Sequence, residues 1–303
     1  MEDIIEAIER LKKERRAIIL AHVYEPEEIQ EIADFTGDSF ALSQKAAATD
    51  AEVIVFCGVR FMAETANILS PDKITLLPAA DAGCQMFDDT LEGEVRQVMA
   101  ERPDALLVSY VNTPASVKAL STICCTSSNA VQVVNSLPKD REIVFVPDGN
   151  LASFAAEQTD RQITCWPGGC PIHGRLMVED IRAAKETHPG ALVLMHPECQ
   201  PVVRAEADYV GSTMGIIRYA QQSPEDSFII ATEQGVLYEL TERCPQKHFY
   251  MASRQMLCVN MKKTTLEKVR TALTTLEPRV IVPAEIRDKA REALQKMLEI
   301  TGR

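Results

Sequence analysis

Several features are missing from this sequence, and each absence removes a class of protein. No apolar run approaches the ~18 residues of a membrane span, so no membrane segment is expected. No long Lys/Arg run is present and the net charge is −12, so nucleic acid is excluded as a partner, because phosphate binding needs a basic footprint. The opening MEDIIEAIERLKKERR lacks an apolar stretch followed by a small-residue cleavage site. Its Ile4, Ile5, Ile8 and Leu11 share one face and predict an amphipathic helix instead of a signal peptide. A cytoplasmic protein is the expectation, where disulfides are rare. No Cys-x₃-Cys-x₂-Cys triplet occurs, which gives adenosylmethionine radical chemistry no support. No Gly/Ser-rich linker divides the 303 residues, so whatever units exist should form one body.

What the chain does contain is a repeat. AIILAHVYEPEEIQEIADFTGDS, ALLVSYVNTPASVKALSTICCTSS and ALVLMHPECQPVVRAEADYVGST begin at Ala17, Ala105 and Ala191, 88 and 86 residues apart. In each, an apolar run ends in a polar pair: His22 and Tyr24, Tyr110 and Asn112, His196 and Glu198. A proline then marks a helix start, at Pro26, Pro114 and Pro201. A small polar cluster follows, Gly37-Asp38-Ser39, Thr126-Ser127-Ser128 and Gly211-Ser212-Thr213, ahead of another helical pattern. The second half repeats more faintly. VIVFC, EIVFVP and SFIIA read as buried strands, each followed by a helix, then by KITLLP, RQITCWP and HFYMA.

Strands alternating with helices predict parallel α/β layers. The expected fold is α/β: three homologous three-layer αβα units with parallel sheets around a pseudo-threefold axis. The units would span residues 1–87, 88–174 and 175–262. A tail, 263–303, holds a helix (TLEKVRTALTTL) and a strand (RVIVP) like the start of a fourth copy, and is expected to pack back on the first unit.

One cysteine per copy follows the last strand: Cys84, Cys170 and Cys258, spaced by 86 and 88 residues. An isolated buried cysteine is usually a small hydrophobe; the shared repeat position is what argues for a joint role. In parallel α/β folds functional groups gather beyond the carboxyl ends of the strands. Three thiolates meeting there could hold three irons of a cubane and leave the fourth open as a Lewis acid. Nine cysteines are an odd number, which suits a complete disulfide set poorly. Cys165, Cys170 and His173 could instead begin a zinc site, though no second tight cysteine pair completes one. His173, His188 and His248 fall outside the repeat positions and read as structural or exposed.

The hydroxyl clusters read either as plain helix caps or as a cradle for phosphate and carboxylate. Helix N-termini supply N–H groups and partial positive charge, so an acidic protein can still bind anions. Tyr24, Tyr110 and Glu198 are candidate acid–base groups. A four-ligand iron–sulfur or zinc scaffold and a metal-free binder of small phosphorylated acids remain open on these residues alone.

The motifs AHVYEPEEIQEIADFTGDS, VFCGVRFMAETANILSPDK, GCQM, SYVNTPASVKA, CCTSSNAV, WPGGCPIH, HPEC and MASRQMLCVNMKKTTLEKV together resemble the short form of the quinolinate synthase family over residues 20–267. The resemblance implies condensation of iminoaspartate with dihydroxyacetone phosphate in NAD biosynthesis, with loss of phosphate and two waters. It implies a 4Fe–4S cluster on Cys84, Cys170 and Cys258 and a functional link to the enzyme that supplies iminoaspartate. It places substrate contacts at His22, Tyr24, Ser39, Tyr110, Asn112, Ser127, His196, Glu198, Ser212 and Thr213. Proton transfers would fall to Tyr24 and Glu198, with His22, His196 and Tyr110 beside them. The chain departs from the family pattern at Glu25, where Gln is expected, and at Val259, where Pro is expected.

Overall fold

Short runs rich in Val, Ile and Leu, apolar on both faces, suit parallel strands covered by helices on either side. The computed structural model, which describes residues 3–301, builds three such sheets; residues 1–2 and 302–303 of the expected unit limits lie outside the described residues. The first unit runs α1 (Ile4–Glu14), β1 (Ala17–His22), α2 (Glu27–Glu31), β2 (Phe35–Gly37), α3 (Ser39–Ala48), β3 (Val53–Cys57), α4 (Arg60–Leu69) and β4 (Ile74–Leu76). The second runs α5 (Leu91–Glu101), β5 (Leu106–Tyr110), α6 (Ala115–Lys118), β6 (Ile123–Cys125), α7 (Ala130–Ser136), β7 (Ile143–Val146), α8 (Gly149–Glu157) and β8 (Ile163–Cys165). The third runs α9 (Val178–Thr187), β9 (Leu192–Met195), α10 (Pro201–Arg204), β10 (Tyr209–Val210), α11 (Thr213–Gln222), β11 (Ser227–Ala231), α12 (Val236–Arg243) and β12 (His248–Met251). Last come α13 (Leu266–Thr275) and α14 (Ala284–Thr301).

All three sheets are parallel and have the same order, β2-β1-β3-β4, β6-β5-β7-β8 and β10-β9-β11-β12. The three αβα units expected from the repeat are therefore present. Alternation along each strand sorts its side chains between two layers. Leu20, Ile54, Phe56, Val108, Phe145, Leu194 and Phe228 belong to one core continuous through all three units. Their neighbours Ile19, Val55, Leu107, Val144, Val193 and Ile229 face outward into three separate clusters, roofed by α1 and α13, by α5, and by α9. The roofing helix α1 is amphipathic as its sequence predicts, burying Ala7, Ile8 and Leu11, and the Asp3 side chain caps it through the Ile5 N–H at 2.9 Å.

In the tail, α13 lies against α1, and α14 lies against α4 of the first unit and against α6, α7 and β6 of the second. The segment RVIVP, expected as a strand, makes only an isolated antiparallel bridge, Arg279 to Leu76 at the edge of β4. Prolines at 278 and 283 flank it and limit how many N–H groups a ladder could use.

Candidate active site

Because the sheets are parallel, their carboxyl ends deliver corresponding residues to one place. The register pairs Ala21 with Cys57, Ser109 with Val146 and Met195 with Ala231. His22, Tyr110 and His196 each follow the first member of these pairs, and all three line one cavity of about 80 Å³. Tyr24, Ser39, Asn112, Ser127, Glu198 and Thr213 line it too, as do Cys84, Cys170 and Cys258. Of the residues singled out in the sequence, Ser212 alone does not: its hydroxyl accepts the Gly215 N–H at 3.1 Å and caps α11.

The cysteine loops are held alike in each unit. The N–H groups of Arg60, Gly149 and Gln234 donate to the carbonyls of Ala82, Gly168 and Met256 at 2.9, 2.8 and 2.8 Å. Each carbonyl lies two residues before its cysteine. In the second unit the approach is so close that a Cβ on Gly149 would sit 2.3 Å from the Trp166 carbonyl oxygen, and one on Gly168 would sit 2.6 Å from that of Pro147. Only glycine fits there. Burial pushes the Cys84 thiol up to about 12 and raises Cys170 and Cys258 as well. Three neutral thiols lining one cavity become metal-binding thiolates only when a cation replaces their protons. No other cysteine lines the cavity. The donor set thus matches a cluster held by three protein ligands with one corner left for a small molecule.

The two histidines at the strand ends are turned the same way. His22 Nδ1 accepts the Tyr24 N–H at 3.1 Å, and His196 Nδ1 accepts the Glu198 N–H at 3.3 Å. Their protons therefore sit on Nε2. Burial lowers both to about 3, so both rings are neutral donors near neutral pH. Burial raises Tyr24 and Tyr110 well above the ordinary phenol range, so both keep their protons. Burial opposes ionisation of Glu198, but His196, His173 and the hydrogen bonds from His173 and Tyr110 outweigh it and hold the carboxyl low.

A hydrogen-bonded run joins these groups. Tyr24 Oη lies 2.7 Å from Thr213 Oγ1 and 2.6 Å from Thr232 Oγ1. Thr232 Oγ1 lies 2.9 Å from His173 Nε2, and His173 Nδ1 lies 2.7 Å from Glu198 Oε2. With Glu198 ionised, the donors order themselves one way: Tyr24 to Thr232, Thr232 to His173, His173 to Glu198. His173, expected to be structural or exposed, is buried at the centre of this run. Its place three residues after Cys170 was the available signal. Thr232, also missed, directly follows β11, where the other units carry Gly58 and Pro147. His188, by contrast, stacks on Tyr250 at 3.6 Å, and His248 is exposed.

Among the described residues no Lys or Arg lines the cavity. Its positive field comes from neutral N–H and O–H donors and from helix N-termini. Ser39 opens α3 and Thr213 opens α11. The α3 cap, Asp38, accepts both the Ala41 N–H at 3.0 Å and the Ser128 hydroxyl at 2.8 Å, tying that helix start to the Thr126-Ser127-Ser128 turn of the second unit. The donor atoms of Cys170, His173 and Glu198 also lie within 4.8 Å of one another, close enough to seat a single ion.

A family model described as quinolinate synthetase A protein matches residues 6–299. The quinolinate synthase of Methanoregula boonei is 53% identical over 97% of this chain and 97% of its own length. That of Desulforudis audaxviator is 51% identical over 99% of each, and that of Geobacter metallireducens 53% identical over 98% of this chain and 97% of its own length.

Proposed function

This chain belongs to the quinolinate synthase family, and from that premise we propose that it condenses iminoaspartate with dihydroxyacetone phosphate to quinolinate, releasing phosphate and two waters. The observation that carries the reading is the arrival of one cysteine from each unit, Cys84, Cys170 and Cys258, at one cavity lined with neutral donors. These three would hold a 4Fe–4S cluster, which supplies a Lewis-acidic iron corner for hydroxyl and carboxylate oxygens.

The protein's own groups account for binding and proton traffic. His22 and His196 present Nε2–H to carboxylate or carbonyl oxygens. Ser39, Ser127 and Thr213, with the N-termini of α3 and α11, receive phosphate or carboxylate. Asn112 Oδ1 is buried without a partner and is free to accept a substrate hydroxyl or imine proton. Closing the ring requires a base that takes protons from carbon and an acid that gives protons to departing hydroxyls. Glu198, ionised, is the base, and isomerising the triose carbonyl is the step it suits. Tyr24, protonated, is the acid, with Tyr110 donating to Glu198. The run through Thr232 and His173 ties the acid to the base, and its donors, all pointing toward Glu198, hold that carboxylate ionised and in place.

The substrates and the chain's lack, among the described residues, of a helix fit to span a membrane suit a cytoplasmic enzyme working beside the one that supplies iminoaspartate. Anaerobic purification followed by iron and sulfide analysis and a quinolinate assay tests the reading. The wild type should bind iron and inorganic sulfide in equal amounts and form quinolinate. Cys84→Ala, Cys170→Ala and Cys258→Ala should each lose both. A protein that binds one metal ion and no sulfide, and keeps it in Cys84→Ala, would show the Cys170, His173 and Glu198 group acting alone and sink the proposal.

A further inference from the structure

The three cysteine loops share a backbone pin but not a side-chain anchor. The strand register makes Val59, Asp148 and Glu233 equivalent, each two residues beyond its strand. Asp148 Oδ2 accepts the Cys170 N–H at 2.9 Å, and Glu233 Oε1 accepts the Cys258 N–H at 3.0 Å. Val59 has no acceptor to offer Cys84. Both carboxylates are fully buried and are themselves held on their other oxygen: Asp148 Oδ1 takes the Leu151 N–H at 2.7 Å, and Glu233 Oε2 takes the Gly235 N–H at 2.7 Å. Lys262 lies 3.1 Å from Glu233 Oε1 and also bonds the Tyr24 carbonyl, linking that anchor to the candidate acid.

A buried carboxylate costs several kcal/mol to desolvate unless its oxygens are well occupied. Its recurrence at one position in two of three repeats, each time on the N–H of the cysteine itself, marks a function beyond helix capping. We propose that Asp148 and Glu233 are positioning residues that fix the Cys170 and Cys258 arms before any cluster arrives, while the Cys84 arm, held by its backbone pin and by Lys263 on the Asp81 carbonyl but with no carboxylate on the cysteine N–H, takes its final position with the cluster. The inference rests on the cluster reading for its purpose but not for its geometry. Two arms preset and one adjustable give an assembling cluster two fixed attachment points and a third that closes on it. An N–H committed to a carboxylate is also unavailable to cluster sulfur, and hydrogen bonds to sulfur are one control on cluster potential.

Hydrogen–deuterium exchange of the wild-type chain, with the cluster loaded and after anaerobic removal, tests this without altering any residue. Segments around Cys170 and Cys258 should keep their protection when the cluster leaves, whereas the segment around Cys84 should exchange faster by on the order of tenfold or more, as expected for a locally opened loop. Three segments that deprotect alike, or a Cys84 segment as protected as the others in the cluster-free chain, would overturn the proposal. A second measurement follows iron loss to a chelator from reconstituted Asp148→Ala and Glu233→Ala. Loss should be at least about tenfold faster than in the wild type. Asp148→Asn and Glu233→Gln, which keep an acceptor oxygen, should restore most of the retention, and Val59→Ala should match the wild type. Wild-type loss rates in both alanine variants would refute the anchoring role. A wild-type chain that takes up no iron at all would remove the cluster reading, and the exchange comparison on that chain would still decide whether the two arms are preset.

Discussion

Glu25 is a fully buried carboxylate whose oxygens make no hydrogen bond of normal geometry, with the Thr264 hydroxyl as a weak neighbour. Burial pushes it up from 4.5 to about 8, with the Thr264 hydroxyl and then Lys262 opposing the rise. It is therefore carried mostly as the neutral acid at pH 7. The sign of its contribution follows from linkage. Below about pH 4.5 both folded and unfolded chains hold the proton, and the residue favours neither. Between 4.5 and 8 the unfolded chain ionises and the folded one does not, so stability falls as pH rises. Well above 8 the loss levels off. At ~1.36 kcal/mol per pH unit, the ceiling on that loss is roughly 4–5 kcal/mol. Relaxation of Lys262 toward the carboxylate reduces it to about half. Replacing Glu25 by Gln removes the charge and keeps the shape. Urea unfolding of cluster-free wild type and Glu25→Gln at pH 5 and pH 9 measures the effect. The two should differ little at pH 5. At pH 9 the variant should be more stable by about 2–5 kcal/mol, read as a higher midpoint at unchanged slope. Equal pH dependence in both proteins would show that Glu25 is ionised and satisfied in the fold, and the reasoning would fail.

Other outcomes follow from the same geometry. Tyr24→Phe deletes the bonds to Thr213 and Thr232; kcat should fall by about 10²–10⁴, with KM and bound iron little changed. Glu198→Gln should keep the cluster and stop turnover; a variant with near-normal quinolinate formation would remove Glu198 from the chemistry. His22 and His196 are buried and lowered to about 3, so stability should fall as pH drops below the ordinary histidine value near 6.5 toward 3, and His196→Asn should flatten that acid limb in a denaturant series. Phe145 lies in the continuous core; Phe145→Ala should lower stability by about 3–5 kcal/mol, visible as a lower urea midpoint.

Much of this architecture was legible because the chain repeats itself. A buried strand must be apolar, a helix start wants proline or a capping residue, and those constraints recur at Ala17, Ala105 and Ala191 whatever else each unit does. The same period exposed Cys84, Cys170 and Cys258, which the structure brings to one cavity. The residues that escaped notice are the ones where the copies differ. His173 has no counterpart three residues after Cys84 or Cys258, where Phe87 and Met261 stand. Thr232 and Glu233 occupy positions that are Gly58 and Val59 in the first unit. A search by repetition passes over such sites, and only contacts between units reveal them: Tyr24 from the first meets Thr232 of the third, which meets His173 of the second.

That division has a physical reason. Under the proposed function, three irons of a cubane would ask for the same ligand from three directions, a demand three homologous units would meet with one backbone geometry used three times. The substrates ask for the opposite. They carry distinct ends, and their chemistry needs an acid and a base at different places around one ring. The scaffold answers at the strand ends, where side chains can vary without disturbing the sheet: His22, Tyr110 and His196 at one level, Tyr24, Asn112 and Glu198 at the next. Because each of these positions lies at a strand end or within three residues of one, acid and base are set apart by the width of the shared centre. The hydrogen-bonded run from Tyr24 to Glu198 then spans that width through all three units. Its continuity depends on how the units sit together, so a substitution that loosens their packing should uncouple the acid from the base before it unfolds any single sheet.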